Sequence, residues 1–373
     1  MISEIIEKED RFNALLPALR MTGSPPQQLL DAAKLWSEAI WAAAEQPGPA
    51  SLADNEITAG FRLAQNPVFI NGVHRSGTTL VRNLLDGHPN LVVLPSEGTF
   101  YTNIEGKLRL LPEAEWAFFL GTEWLRRLAN PINQAPYWLL GRSNAGGSPY
   151  ILFARYVTAW WNAMPHKKDT QWPHMAIILA YASCTGNLHA KLWVDKSPAN
   201  ERFLTRIWQE MPEAKIVHVI RDPAATILSR KKMEPKLNLR RALLDLKISY
   251  GVAAEQSELK DQRFLLLRYE ELCNNPGLII AELSTFLNVE TSPVLSQPSV
   301  AGKPAQANSS FAHETAAGQI LTARQHIQNG ALSIREQQLL SACLGKHAAK
   351  LNYSMLKTSI IRKLYLKLVY RLW

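Results

Sequence analysis

A short segment, 72–79, combines residue types that bind anions. One cationic side chain and three hydroxyls in it can donate hydrogen bonds to an anion: Arg75, Ser76, Thr78 and Thr79. An apolar run precedes Gly72 and an amphipathic run follows Gly77, so the expected order is strand, glycine loop, helix. Such a turn directs backbone N–H groups and a helix N-terminus at one point, which favours a phosphate or another anion.

The spacing of Gly72 and Gly77 matches a P-loop, but the lysine of a nucleotide hydrolase is absent. Thr78 and Thr79 follow Gly77 where such a hydrolase has Lys and then Ser or Thr. Arg75, within the loop, is the cation that this segment offers instead. The sequence therefore predicts an anion site, but it does not identify the anion as a triphosphate.

A second group of chemical interest is the carboxylate of Glu97. It follows the apolar run 91–94, and a residue just past a strand of an α/β sheet lies at the carboxyl edge, where ligands bind. Glu97 is therefore a candidate general base, and the alternative is a surface glutamate without a chemical role.

These groups need elements that position them, and strand and helix patterns alternate along the chain. Apolar runs predict strands, one ending at Gly72 and others at 91–94, 191–194, 215–220 and 264–269. Helical patterns fall between them, at 80–85, 199–211, 224–232 and 239–259. We therefore expect an α/β fold, a P-loop-type doubly wound parallel sheet flanked by helices, with a helical Trp-rich insertion.

Three regions are predicted along the chain. Residues 1–62 form an N-terminal helical arm that packs on the core or, alternatively, a separate interaction module. Residues 63–320 form the α/β domain, with an insertion at about 101–190 whose six tryptophans line an acceptor pocket or fill a subdomain core. A long loop at 288–320, which includes Lys303, is a functional lid or a mobile connection. Residues 321–373 form C-terminal helices ending in a basic amphipathic tail.

Charge and cysteine content restrict the partners and the compartment. The net charge of +9 favours anionic partners, and six Lys/Arg without any Asp or Glu lie in 350–373. Three widely separated cysteines match no metal-binding spacing, which predicts reduced thiols in a cytoplasmic protein. We see neither a signal peptide nor an apolar run of the roughly 18 residues that a membrane span needs.

The C-terminal tail, 360–373, has the amphipathic pattern of a helix that lies on a membrane surface. Apolar Ile361, Leu364, Leu368 and Leu372 share one face, and basic side chains lie opposite. The sequence predicts peripheral contact with the inner membrane surface or, equally, a helix that packs on its own domain.

Several segments together resemble the sulfotransferases that use 3′-phosphoadenosine 5′-phosphosulfate (PAPS), chiefly the bacterial and tyrosylprotein groups. The resemblance spans roughly 66–312, and its motifs occur in the order of the family: Arg75-Ser76-Gly77-Thr78-Thr79, Leu84 to Pro89, Asp195 to Pro198, Arg221 with Ser229 eight residues later, Arg268 to Leu272, and Asn308-Ser309-Ser310. Each motif is weak alone, whereas the ordered set is specific.

The resemblance implies a role for each candidate residue. PAPS has two anionic regions; the loop residues 75–79 would hold the phosphosulfate, and Arg221 with Ser229 would hold the 3′-phosphate. Glu97 would be the base for the acceptor hydroxyl, and Lys196 would stabilise the leaving phosphate oxygen. Tyr269 and Lys303 complete the candidate donor contacts. No metal is expected, and the acceptor is a hydroxyl of a carbohydrate, a lipid, a small alcohol or a tyrosine.

Two other functions compete with this one. A P-loop kinase or NTPase that uses Mg-ATP is favoured by apolar strands ending in Asp195 and Asp222, and disfavoured by the missing loop lysine. A catalytically silent nucleotide-binding or membrane-associated protein is the other alternative. No nucleic-acid partner is expected.

Overall fold

The structure is a computed structural model. It describes residues 2–22, 25–46, 48, 50–133, 135–141, 147–164, 171–305, 317–321 and 331–372. The chain divides into two compact units, each built from separate stretches of sequence. The first unit comprises Met1–Pro67, Asp86–Val194 and Ser299–Ala305, and the second comprises Val68–Leu85, Asp195–Pro298 and Gln306–Trp373. The division into three regions drawn from the sequence stays a prediction.

Five strands form one parallel sheet, in the order β2-β3-β1-β4-β5, and two short strands form a hairpin. The strands are β1 (Pro67–Asn71), β2 (Leu91–Glu97), β3 (Leu192–Lys196), β4 (Lys215–Ile220), β5 (Phe264–Arg268), β6 (Ser299–Val300) and β7 (Lys303–Pro304). Strands are added on both sides of β1, as in doubly wound sheets. The predicted α/β fold with a parallel sheet flanked by helices is confirmed.

Helices connect and cover these strands. They are α1 (Ile2–Thr22), α2 (Gln27–Ala44), α3 (Asp54–Ala64), α4 (Thr78–Leu85), α5 (Glu105–Leu108), α6 (Trp116–Ala129), α7 (Ser148–Ala163), α8 (Gln171–Cys184), α9 (Leu204–Glu210), α10 (Pro223–Met233), α11 (Leu239–Leu259), α12 (Tyr269–Asn274), α13 (Pro276–Leu287), α14 (Ile334–Lys350) and α15 (Ile360–Tyr370).

Aromatic side chains form the core of the first unit. The ring of Trp36 on α2 lies 5.1 Å from the ring of Trp138 and 5.0 Å from that of Tyr150, so the N-terminal helices pack on the helical insertion. Trp124 and Trp160 are also fully buried. Four tryptophans of the insertion are therefore buried in a core, namely Trp116, Trp124, Trp138 and Trp160, while Trp161 is half-buried. The side chain of Trp172 lies outside the described residues, and an acceptor pocket lined by these tryptophans stays a prediction.

The centre of the second unit is formed by β1 and β4, which are buried along nearly their whole length, and by the half-buried β5. Pairing of β1 with β4 sets Val68 opposite Lys215, and pairing of β4 with β5 sets Ile220 opposite Arg268. This register places the carboxyl ends of three parallel strands, and the residues that follow them, at one edge of the sheet. Ligands of open α/β sheets bind at this edge.

The C-terminal helix α15 is buried on one side and exposed on the other. Leu366 and Leu372 belong to the core of the second unit, whereas Ile361, Leu364 and Leu368 are exposed. Leu372 was predicted to share the apolar face of these three, and that part of the prediction is wrong because the chain leaves the helix at Arg371, where φ is +49°. Among the described residues, no helix is both long and apolar enough to cross a bilayer.

Two further differences from the sequence-based expectation concern the α/β region. The helix expected at 199–211 is divided, because Asn200–Phe203 form a tight turn and α9 begins only at Leu204. The loop at 288–320 contains the unpredicted β6–β7 hairpin. The expected helix 321–328 and the segment Asn308-Ser309-Ser310 lie outside the described residues, except for Leu321.

Candidate functional site

The loop between β1 and α4 has the conformation that its glycines allow. Gly72 has φ +138° and Gly77 has φ +107°, both in the region that favours glycine. A Cβ on Gly77 would overlap the ring of Tyr269, so only glycine lets this tyrosine pack against the loop. Helix α4 then begins at Thr78, and its free N–H groups lie next to the loop.

Two guanidinium groups and one hydroxyl converge beside this loop. The Nε of Arg75 donates to Ser229 Oγ at 2.9 Å, and Nη1 of Arg221 donates to the carbonyl oxygen of Arg75 at 3.3 Å. The Arg221 guanidinium also lies 4.6 Å above the ring of Tyr269. The structure thus brings together Arg75, Arg221, Ser229 and Tyr269, four residues that come from three separate parts of the sequence.

The electrostatics of this cluster favour an anion. Burial lowers the pKa of Arg75, and the nearby positive charge of Arg221 lowers it further. Two like charges held together in a partly buried place repel each other, and a bound anion would relieve that repulsion. The sequence paired Ser229 with Arg221, whereas the hydrogen bond described for Ser229 is with Arg75.

The hydroxyl of Ser76 gives an independent indication of a polar ligand. Its side chain is fully buried, and its Oγ has no hydrogen-bond partner among the described residues. A buried hydroxyl without a partner costs free energy, typically about 1–3 kcal/mol, unless something binds it. Thr78 is buried and Thr79 exposed, so the loop offers hydroxyls at different depths. These residues fit a phosphate or sulfate group.

Lys196 ends strand β3 and is almost fully buried. The segment after it is bonded to the segment that enters the loop: Ser197 N donates to Ile70 O, and Ala199 N donates to Gly72 O, both at 3.2 Å. Lys196 is therefore fixed, through the backbone, to the same strand that leads into the anion loop.

Glu201, which the sequence did not single out, supports the loop from within the second unit. Its Oε2 accepts a hydrogen bond from Gly72 N at 3.3 Å, and its side chain is only 3% exposed. Burial raises the pKa of this carboxyl to about 7, against the lowering effect of its hydrogen bonds. No local signal marks it, since it contacts a residue 129 positions earlier in the chain.

Carboxylates near Arg221 bind backbone groups. Asp222 Oδ1 accepts from Ala225 N at 2.7 Å and so caps α10, while Glu270 Oε1 accepts from Asp222 N at 2.7 Å. The hydroxyl of Tyr250 donates to the carbonyl oxygen of Arg221. These contacts fix the backbone at the end of β4 and leave the guanidinium of Arg221 directed at Arg75 and Tyr269.

In the first unit, Glu97 is the last residue of β2, and an arginine binds the backbone around it. Nη1 of Arg127 donates to the carbonyl oxygens of Glu97 and Gly98, and Nη2 donates to Thr99 Oγ1 at 3.2 Å. Arg127 is held in turn by Glu123. Sequence reasoning missed both Arg127 and Glu123.

Two other candidates of the first unit have different environments. His88, in the motif Leu84 to Pro89, is buried, and its Nδ1 accepts from Asn90 N at 3.2 Å, as in a structural turn. Lys303 is exposed on β7, in a hairpin held by Asp86, whose Oδ2 accepts from Ser299 Oγ at 2.6 Å and from Gly302 N at 2.9 Å. Among the described residues, no group of three or more His, Cys, Asp or Glu could hold a metal ion.

Comparison with known proteins gives one match by sequence family. The model of a family described as "Sulfotransferase family" matches residues 67–293. Comparison with curated protein sequences gave no match.

Solved structures that resemble this chain are also sulfotransferases. The sulfotransferase domain of the Synechococcus PCC 7002 olefin synthase is 19% identical, with a TM-score of 0.38 over 82% of this chain and 94% of that one. STF9 of Mycobacterium avium is 14% identical, with a TM-score of 0.42 over 88% and 86%. STF1 of Mycobacterium tuberculosis H37Rv is 13% identical, with a TM-score of 0.41 over 94% and 93%. At these low scores the family assignment rests on the sequence match.

Proposed function

This chain belongs to the sulfotransferase family, and on that premise we propose that it transfers the sulfuryl group of PAPS to a hydroxyl acceptor. The products are 3′-phosphoadenosine 5′-phosphate (PAP) and a sulfate ester. The observation that carries this proposal is a cluster of two arginines and a hydroxyl beside a P-loop-like turn without lysine: Arg75 donates to Ser229, and Arg221 donates to the carbonyl oxygen of Arg75. ATP would not need this second cationic position, whereas a nucleotide with a 3′-phosphate would.

The residues divide into two sets according to the part of the donor that they would bind. For the phosphosulfate we propose the loop amides with Arg75, Ser76, Gly77, Thr78 and Thr79. For the 3′-phosphate we propose Arg221 and Ser229, because a planar guanidinium binds phosphate in a bidentate manner. Tyr269 fixes the plane of Arg221, and Lys303 is proposed as a further donor contact.

Transfer requires a base and a cation. When bound, PAPS supplies an activated sulfuryl group, whose bond to the phosphate oxygen breaks as the acceptor oxygen attacks sulfur. Glu97 takes the proton of the acceptor hydroxyl, and Lys196 balances the charge that develops on the phosphate oxygen. A general base contributes about 10²–10⁴-fold, and positioning with charge stabilisation supplies the remainder.

Radioactive transfer tests the reaction and identifies the acceptor. The full-length protein is incubated with ³⁵S-labelled PAPS and cell extract, with and without EDTA, and labelled products are separated. We expect label in an organic acceptor, in equal amounts with and without EDTA. Transfer that stops in EDTA would refute metal independence, and the absence of any labelled product with an extract from the cells that make the protein would refute the proposed reaction.

We also propose that the protein contacts an anionic membrane surface through α15, in a cytoplasmic setting consistent with its three free cysteines. The exposed face of α15 is apolar; Ile361 is 82% exposed and Leu368 69%. The segment 350–373 has six basic and no acidic residues, which is complementary to anionic lipid headgroups. The bilayer is therefore the proposed occupant of this face.

Vesicle binding tests this contact. We expect the protein to co-sediment with phosphatidylserine vesicles at low salt, and Leu368→Asp to weaken that binding. Leu110→Asp changes a leucine that is even more exposed than Leu368 but lies outside the tail, so it serves as control. Equal binding of all three proteins, or dimerisation that the Leu368 variant abolishes without any vesicle binding, would contradict the proposal.

A further inference from the structure

The strand end that carries Glu97 has an unusual backbone and a dedicated binding partner. β2 ends at Glu97, and Thr99 then adopts φ +51°, a conformation that non-glycine residues seldom take. The amides of Asn103 and Ile104 both donate to the carbonyl oxygen of Thr99, at 3.0 and 3.1 Å. The chain therefore turns sharply just after the proposed base.

Arg127, on α6, uses every hydrogen-bond donor that it has, and most of these donors bind this turn. A guanidinium carries five N–H groups in a fixed fork. Three of the five bonds go to the turn: two to the carbonyl oxygens of Glu97 and Gly98, and one to Thr99 Oγ1. The other two, from Nε at 3.1 Å and Nη2 at 3.0 Å, go to Glu123 Oε1.

The surroundings of Arg127 leave little freedom for movement. Its side chain is only 10% exposed, and its guanidinium lies 5.3 Å from the ring of Trp124. Burial alone would raise the pKa of Glu123, but the charges and hydrogen bonds of Arg127 and Arg126 hold that pKa below its usual value. Glu123 is thus ionised at neutral pH, and the Arg127–Glu123 pair is a rigid support.

From this geometry we infer that Arg127, oriented by Glu123, is a positioning residue that holds Glu97 in place for proton abstraction. The inference rests on the proposed role of Glu97 as base. The fork fixes the peptide groups on both sides of Gly98, and therefore the direction in which the Glu97 side chain leaves the backbone. Misplacement of a reacting group by about 1 Å can cost about 100-fold in rate.

The test compares turnover per PAP-binding site in four proteins: the wild type, Arg127→Lys, Glu123→Gln and Arg126→Lys. Lysine keeps the charge but cannot bind three acceptors of the turn and Glu123 at once. Arg126 is the matched control because it is adjacent, on the same helix, and pairs with the same Glu123 at 2.7 Å. Transfer from ³⁵S-labelled PAPS to the acceptor fraction of cell extract gives turnover, and calorimetry with PAP counts the folded sites.

We expect Arg127→Lys to lower turnover per site roughly 10- to 100-fold, with unchanged affinity for PAP. Glu123→Gln should have a smaller effect, and Arg126→Lys should remain within about twofold, an order-of-magnitude figure for a partly exposed ion pair in which lysine keeps the charge. A residue with a merely structural role would lower the number of PAP-binding sites and leave turnover per site unchanged. That result for Arg127→Lys would overturn the inference.

A double variant separates this inference from the proposed function. If Arg127 acts through Glu97, then Arg127→Lys should cost nothing further in a Glu97→Gln background, since the two effects are not additive. Fully additive effects would overturn the inferred role of Arg127 and leave the proposed function unaffected. Full turnover by Glu97→Gln itself would instead refute the proposed base.

Discussion

The donor loop and the Glu97 turn are each supported by a carboxyl group that is wholly or partly buried, and the pKa values of the two groups are shifted in opposite directions. Burial raises the pKa of Glu201, behind Gly72, to about 7. The pKa of Glu123, behind Arg127, is lowered in spite of its burial, because two arginines contact it. The donor loop, which must accept an anion, is backed by a carboxyl that readily keeps its proton, whereas the Glu97 turn is held by an ion pair.

The arginines of the two regions also differ in their surroundings. Arg127 has an acceptor for each of its five donors. Arg75 and Arg221 lie close enough for the charge of Arg221 to lower the pKa of Arg75. The Glu97 turn is thus held by an arginine whose donors are all bonded, whereas the donor loop brings two positive charges together and shifts a pKa, which is typical of a ligand site.

The largest effect is expected from Glu97→Gln, which leaves the donor region unaltered. Turnover should fall by about 10²–10⁴-fold because the amide cannot take a proton, while the affinity for PAP should not change. Rate measurements with ³⁵S-labelled PAPS and calorimetry with PAP give the two quantities. Glu113→Gln, at an exposed position, is the control. Joint loss of turnover and of PAP affinity would show that Glu97 belongs to the donor region. The distinction between the donor loop and the Glu97 turn would then be wrong.

The second effect concerns the donor region alone. Arg221→Met should weaken PAP binding by at least about 100-fold, since two charge-assisted hydrogen bonds contribute about 1.5–3 kcal/mol each. ADP binding should change little, because ADP has no 3′-phosphate. Calorimetry on both proteins with both nucleotides measures this, with Arg230→Met, on the neighbouring helix α10, as control. An equal loss for PAP and ADP would assign Arg221 to the 5′ end.

The third effect is a pH dependence of stability that only the donor region should show. Glu201 has a raised pKa, so its stabilising contribution is complete below about pH 4.5 and is lost as the pH rises through about 7. Relative to Glu201→Gln, which does not titrate, the wild type should lose about 2–3 kcal/mol of unfolding free energy between pH 5 and pH 8. Urea unfolding at both pH values measures this; a constant difference between the two proteins would mean that Glu201 is ionised throughout.

The smallest effect is expected in the C-terminal tail, where the positive charge is exposed to solvent. Arg371→Gln, in the tail, should weaken binding to phosphatidylserine vesicles by about fivefold, since one basic residue near an anionic surface contributes about 1 kcal/mol. Turnover and PAP affinity should stay at the wild-type values. Vesicle co-sedimentation at two salt concentrations measures this, and binding that is independent of salt would contradict an electrostatic contribution.

Parts of the fold were predictable because their signals are local. Strand β4 has the predicted bounds, 215–220, since a mainly apolar run, interrupted by His218, ends there at a charged pair. The helix expected at 199–211 was divided because Ala199 adopts φ +68° and Glu201 binds Gly72 N, a partner distant in the sequence. The β6–β7 hairpin was missed for a similar reason, since it is bound by Asp86, more than 200 residues earlier.

In the candidate site, too, the predictable residues are those whose signals are local in the sequence. Arg75, Arg221 and Ser229 were identifiable because they lie in motifs that follow strands, and the structure brings them together. Arg127 carries no motif, and its role follows only from contacts with carbonyl oxygens about 30 residues earlier in the chain. Backbone acceptors are present at every residue, so no sequence pattern marks the ones that an arginine will bind.

Calorimetry of the full-length protein with PAP and with ADP tests the central claim most directly. The two nucleotides each carry two phosphates, but only PAP has one at the 3′ position. The cluster of Arg75, Arg221 and Ser229 predicts that PAP binds at least about 100-fold more tightly than ADP, at about 1.5–3 kcal/mol for each charge-assisted hydrogen bond to the 3′-phosphate. Equal affinity for the two nucleotides would contradict the assignment of a PAPS site.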